Sequence, residues 1–194
     1  MEMTTIYTII GFALAGYSVI ANDSIQTLGT FIASKQKWFK WYTLASAASF
    51  VMILAITWGW YSNAGDISYG RLTRIPFQEI QWYHAVAPGI LLILTRVGIP
   101  VSTTFLVLSA FASTVVLEKM LMKSVVGYGL AAVAAYICWI VVSKFINEKF
   151  DEVEDKWIAF WRNSVWVTSG WLWWVWLSHD VANICLLYTS DAAD

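Results

Sequence analysis

Apolar residues in this chain run in long unbroken stretches, without the alternation of a half-buried strand. Four windows carry no charged side chain: residues 41–65, 97–117, 124–143 and 163–179, which are 25, 21, 20 and 17 residues long. About 20 apolar residues cross a bilayer as a helix, and spanning backbone must satisfy its own polar groups. The pattern therefore predicts an all-α integral membrane protein. Shorter apolar pieces complicate the picture. Residues 6–20 are halted by Ala21-Asn22-Asp23 before 24–34 resumes, which predicts a broken helix or a re-entrant pair. Residues 85–95 are too short to cross alone and are separated from 101–117 by Arg96-Val97-Gly98-Ile99-Pro100. Gly and Pro punctuate that joint, as one broken span or as a hairpin that enters and leaves on the same side.

Loop charge chooses between them. Lys35, Lys37 and Lys40 form a compact basic loop, which belongs on the cytoplasmic side. Residues 41–61 read as a full span flanked by aromatics, so 62–83 should lie outside. After 124–143, residues 144–156 hold three lysines beside five acids, with Arg162 beyond, and acids count little in orientation. That places 144–156 inside, and only the hairpin gives the right parity. Its tip, 98–104, would be buried at membrane depth from the outer side, where irregular backbone must line a cavity or be covered by protein.

Composition agrees. Of 194 residues, 59% are hydrophobic and 13% charged, against roughly 45–50% and about 25% in soluble domains, and mean hydropathy is +0.61. Twelve basic and 13 acidic groups leave a net charge of −1, so there is no basic footprint for nucleic acid. Met1–Thr5 carries Glu2 instead of a basic n-region, which predicts no cleaved signal peptide. A multi-pass protein of the cell (inner or plasma) membrane is expected, with the lipid bilayer as its partner. Cys138 and Cys185 suggest neither a disulfide framework nor a metal cluster. Of 13 tryptophans, seven fall between Trp157 and Trp176, as an interfacial belt or a surface for stacking a ligand.

A weak internal repeat carries the chemistry. Ile20-Ala21-Asn22-Asp23-Ser24-Ile25-Gln26 aligns with Leu177-Ser178-His179-Asp180-Val181-Ala182-Asn183, each after an apolar run, and the aspartates stand 157 positions apart. By the topology above, the two copies would cross the membrane in opposite senses, the inverted arrangement of many secondary transporters. Acids within apolar segments are costly and usually pair or bind something. Carboxylates with Asn carbonyls are hard ligands suited to an alkali cation; alternatively, each Asp caps a half-helix at a break. Ser102, Thr103 and Thr104 follow Pro100, a favoured first helical residue, and helix-end N–H groups with hydroxyls can hold an anion without lysine. Equally, those residues could cap the hairpin or allow close packing. Arg96 could face an anion or snorkel to the interface. His84 and His179 could titrate and gate protons, or be structural.

These residues resemble the PiT inorganic phosphate transporters. That family's duplicated Gly-Ala-Asn-Asp-Val-Ala-Asn type motif keeps Ala21-Asn22-Asp23 in the first copy and Asp180-Val181-Ala182-Asn183 in the second. Its Gly-x-Pro-Val-Ser-Thr-Thr-His motif corresponds to Gly98-Ile99-Pro100-Val101-Ser102-Thr103-Thr104-Phe105. The departures are Ser24-Ile25-Gln26, His179 and Phe105, which stand where the family has Val-Ala-Asn, Asn and His. The resemblance implies an inverted-repeat secondary transporter with broken helices and a re-entrant hairpin. It would move inorganic phosphate with Na⁺ or H⁺. The coupling ion, Na⁺ in particular, would sit at Asn22, Asp23, Asp180 and Asn183, and phosphate at Ser102, Thr103 and Thr104. Residues 1–156 would be the first repeat and 157–184 the start of the second, with a homo-oligomer allowed. Residues 185–194 break the composition and resemble a translated sequencing-library adapter, so they are expected to be a non-native tail on a truncated chain; a genuine polar C-terminus is the alternative. Other oxyanions such as sulfate, or a non-transporting membrane scaffold, remain as competing functions. An enzyme is not expected, because no nucleophile–base pair forms a recognisable motif.

Overall fold

The structure, a computed structural model, describes residues 3–72, 79–99, 101–111, 114–146 and 155–189. Among the described residues six helices follow in order: α1 (Met3–Lys35), α2 (Trp41–Ser62), α3 (Trp82–Val97), α4 (Thr103–Ser109), α5 (Thr114–Val141) and α6 (Asp155–Thr189), with a π-helical turn at Val142–Ile146. Among the described residues three helices are long and apolar enough to cross a membrane: Met3–Lys35, Trp41–Ser62 and the stretch Leu117–Lys144. This is an all-helical membrane-protein architecture. α6, of 35 residues, is long enough to cross but is less apolar than those three.

The expected break at Ala21-Asn22-Asp23 does not occur, since α1 runs unbroken through it. Neither Gly nor Pro stands at the joint, and the side chains of Asn22 and Asp23 bond to one another and to other elements instead of competing for their own backbone. Asp180 likewise lies inside continuous α6, so neither aspartate caps a half-helix. The expected second arm, 101–117, also ends early: α4 stops at Ser109, and Leu117 belongs to α5.

The chain divides into two compact units, residues 1–111 with 167–194, and residues 112–166. The first holds the packed core. α1 runs alongside α3 in the same direction, with Leu14 against Gly89 and Asn22 bonded to Thr95. α6 passes α1 in the opposite direction: Ile184 lies 3.8 Å from a Cβ placed at Gly16, Asp180 meets Asp23, and Trp173 and Leu177 cluster with Leu28. Trp173 is 2% exposed and its indole N–H donates to the Ala48 carbonyl of α2 at 3.1 Å. Cys185 and Leu186, from the segment expected to be a foreign tail, continue α6 and are buried; residues 190–194 lie outside the described residues. In the second unit, the apolar window of α5 buries nothing.

At the end of α3, Gly98 adopts φ 81° and closes a Schellman motif, with Ile99 N–H on Leu94 O and Gly98 N–H on Thr95 O. The chain then turns into α4, and Pro100 lies outside the described residues. His84 braces the other end of this hairpin. Its Nδ1 accepts the Gln81 N–H at 2.9 Å, which leaves the proton on Nε2 to donate to the Ala110 carbonyl at 3.0 Å, and its ring stacks on Phe111. His84 is thus a structural strut.

The loop after α2 folds back on it. Tyr69, held at φ 57°, donates its hydroxyl to the Ala55 carbonyl at 2.6 Å and lays its ring over Gly59. A Cβ at Gly59 would sit 2.7 Å from Tyr69 Cε2 and 3.3 Å from the Ile67 carbonyl. Gly59→Ala is therefore expected to cost about 1–3 kcal/mol, read as a lower midpoint of thermal unfolding; an unchanged midpoint would show that the loop is not held there.

Asp66 organises the same loop, accepting from the Ser68 hydroxyl, the Ser68 N–H and the Gly70 N–H. Burial opposes ionisation of its carboxyl, but these three donors outweigh it and hold Asp66 below the ordinary aspartate value. A depressed folded value stabilises the loop above the unfolded value of about 3.9, and that contribution is lost as pH falls through the folded value. Protection of the Ser68 and Gly70 amides, measured against their intrinsic exchange rates, should fall on acidification below about pH 4, and Asp66→Asn should remove the dependence.

Candidate functional site

The site is built where α1, the α3–α4 hairpin and α6 meet. On α1, Asn22 and Asp23 are 3% and 2% exposed; on α6, Asp180 and Asn183 are 5% and 2% exposed. All four residues expected at the coupling-ion site from the two motif copies thus lie in one buried cluster, although the chain separates them by more than 150 positions. The Asp23 and Asp180 carboxyls face one another closely enough to interact, and the Trp176 indole stands beside Asp23.

Each motif copy reaches the hairpin through its own amide. Asn22 Nδ2 donates to Asp23 Oδ1 at 3.2 Å and to the Val101 carbonyl at 3.0 Å. Gln26 Nε2 donates to that same carbonyl at 2.9 Å and to Asn22 Oδ1 at 3.1 Å. Thr95, on α3, directs its hydroxyl at Asn22 Oδ1 and at its own-helix Leu91 carbonyl. On the other side, Asp180 Oδ1 accepts from Thr104 at 2.8 Å and from Asn183 Nδ2 at 2.8 Å, while Asn183 also donates to Thr104 Oγ1 at 3.0 Å. Val101, ahead of α4, is therefore gripped by α1, and Thr104, in the first turn of α4, by α6.

The three residues expected at phosphate are placed differently from one another. Ser102 Oγ accepts the Phe105 N–H at 3.3 Å and caps α4. Thr103 is buried at 3% exposure, and Thr104 is committed to Asp180. Arg96 is exposed. His179 turns away from Asp180: it is exposed, with Nδ1 at 2.8 Å from the Val175 carbonyl.

Sequence reasoning missed Gln26, Thr95, the Val101 carbonyl and Trp176. Gln26 had a signal, since it follows Asp23 by three positions as Asn183 follows Asp180. It also missed Arg71, whose Nη1 donates to the His179 carbonyl at 3.1 Å and so brings a cation from the α2–α3 loop to the residue before Asp180.

Two carboxyls facing one another in a buried place require positive charge between them, a proton or a metal cation. Among the described residues their recorded side-chain partners are Asn, Thr and Trp, none of them cationic. The other oxygens of the cluster are Asn22 Oδ1, Val101 O and Thr104 Oγ1; one turn after Asp23 on α1, Thr27 Oγ1 is buried without a hydrogen-bond partner. Among the described residues no three of His, Cys, Asp or Glu gather into a metal-binding group. An all-oxygen set with two carboxylates fits an alkali cation and not zinc or copper.

Compared with known proteins, the chain matches no family model, no curated protein and no solved structure. Function must be read from the chemistry of the cluster itself.

Proposed function

We propose that this chain holds a coupling cation, Na⁺ or H⁺, between Asp23 and Asp180 and belongs to an inverted-repeat secondary transporter of inorganic phosphate. The observation that carries this proposal is the meeting of Asn22–Asp23 with Asp180–Asn183 around the Val101–Thr104 turn. Supporting it, α1 and α6 pass in opposite directions, as two copies of an inverted motif would. A cation at the pair neutralises charge that a low-dielectric site otherwise excludes. It also makes an anion at the adjoining hairpin less costly, and by linkage each ligand raises the affinity for the other. The hydroxyls of Ser102, Thr103 and Thr104 are the groups offered to phosphate. The grip of both motifs on the hairpin gives the coupling a path, because filling or emptying the pair alters the bonds that hold Val101 and Thr104.

The test is labelled-phosphate uptake into vesicles containing the whole protein, driven by an imposed Na⁺ or H⁺ gradient. The expected result is gradient-dependent uptake that arsenate suppresses and sulfate does not. Equal suppression by sulfate would point to a general oxyanion carrier, and absence of gradient-dependent uptake would reduce the cluster to a structural network.

A further inference from the structure

Below the buried cluster, α1 and α2 diverge, although a loop of only five residues joins them, and leave a groove with a volume of about 770 Å³. That falls in the range of about 300–1,000 Å³ typical of ligand pockets. The order of its lining is informative. At one end stand Lys40 and Gln36 from the loop, next to Phe39, Trp41 and Tyr42; deeper in, the walls are Leu28, Phe31, Leu44 and Met52, with Trp173 behind. No lining residue is acidic. Lys40 is held at the mouth with its Nζ 5.7 Å from the Tyr42 ring centroid, and Lys37 is exposed in the same loop.

Cation, interfacial aromatics and then aliphatic walls repeat the order of parts along a phospholipid. The depth agrees too. From Lys40 to Met52, α2 rises about 18 Å, close to half of a hydrocarbon core about 30 Å thick. A groove one leaflet deep, basic at the headgroup level and apolar above, fits an amphiphile with a negative head. We infer that the α1–α2 groove is a binding site for an anionic phospholipid of the inner leaflet, its acyl chain against Leu28 and Leu44 and its headgroup phosphate at Lys40 and Lys37. Basic pockets between helices on the cytoplasmic side have the chemistry that selects such headgroups. The site is independent of the cation pair and of any transport activity.

Native mass spectrometry of the full chain tests this, with the protein released from mixed micelles holding equal amounts of phosphatidylglycerol and phosphatidylcholine of identical acyl chains. Wild type is expected to retain about tenfold more phosphatidylglycerol. Lys37→Gln with Lys40→Gln should bring the two lipids to parity at an unchanged unfolding temperature. Ala45→Trp, at an exposed lining position, should fill the groove and remove both lipids without unfolding the chain. Equal retention by wild type, or a preference that survives the double glutamine variant, would overturn the proposal. So would a dimer that Ala45→Trp dissociates, since a second copy would then be the occupant.

Discussion

Asp180→Asn is expected to abolish cation-dependent phosphate uptake, by about 100-fold, near the upper end of typical ligand–ligand coupling, while the chain still inserts and unfolds at nearly its normal temperature. Asparagine keeps the Oδ1 that accepts from Thr104 and Asn183, so the hairpin remains gripped. What disappears is one negative charge of a facing pair, and with it the demand for a cation. Asp23→Asn should behave alike, since an amide oxygen can still accept from Asn22. Asp180→Ala should differ in kind. It leaves the Thr104 hydroxyl without its acceptor and the Asn183 amide with Thr104 alone, at about 1–3 kcal/mol for the orphaned hydroxyl, so it should lose stability as well as uptake. If asparagine and alanine variants retain full cation-dependent uptake, the pair is not the coupling site.

Trp173→Ala is expected to be the most destabilising single substitution in the α1–α2–α6 core, at about 3–5 kcal/mol. The side chain is 2% exposed, shares a cluster with Leu28, Ala55 and Leu177, and donates to Ala48 O. Removing it opens a cavity at the meeting of three helices and deletes a hydrogen bond between α6 and α2. Within a bilayer, packing and hydrogen bonding hold helices together more than hydrophobic transfer does, so a well-packed indole bonded across helices matters most. Trp173→Phe should recover most of the packing and lose the bond, for about 1 kcal/mol. Thermal unfolding in detergent separates these cases, and equal midpoints for alanine and wild type would show that the core does not close on Trp173.

Much of this arrangement is legible in the sequence where the signal is local. The aromatic-flanked span read at 41–61 gives the limits of α2 to within a residue, because Lys40 and Trp41 mark one end and Tyr61 the other. Gly98 gives the turn after α3, since a left-handed residue there favours glycine. The pairing of Asp23 with Asp180 was readable only because the motif repeats. The failures have physical reasons. Asn22-Asp23 looks like a helix breaker when read alone, yet the Asn22 amide is satisfied by Val101 from elsewhere and by the Asp23 carboxyl beside it, so α1 continues. The 101–117 run looks like one arm by hydropathy, but His84 bonds the Ala110 carbonyl and stacks on Phe111, which fixes an ending invisible to composition. Thr95 and Trp176 entered the site through the approach of α3 and α6 to α1, which no spacing rule encodes.

The most direct test of a cation held between Asp23 and Asp180 is the thermal unfolding midpoint of the purified chain as choline is exchanged for Na⁺ at constant ionic strength, and in choline alone as the pH is lowered from 8 to 6. One of the two cations should raise the midpoint of the wild type by several degrees, as binding to the folded state alone requires, and neither should do so in Asp23→Asn or Asp180→Asn. A wild type indifferent to both cations, or a shift that persists in both variants, would contradict the assignment.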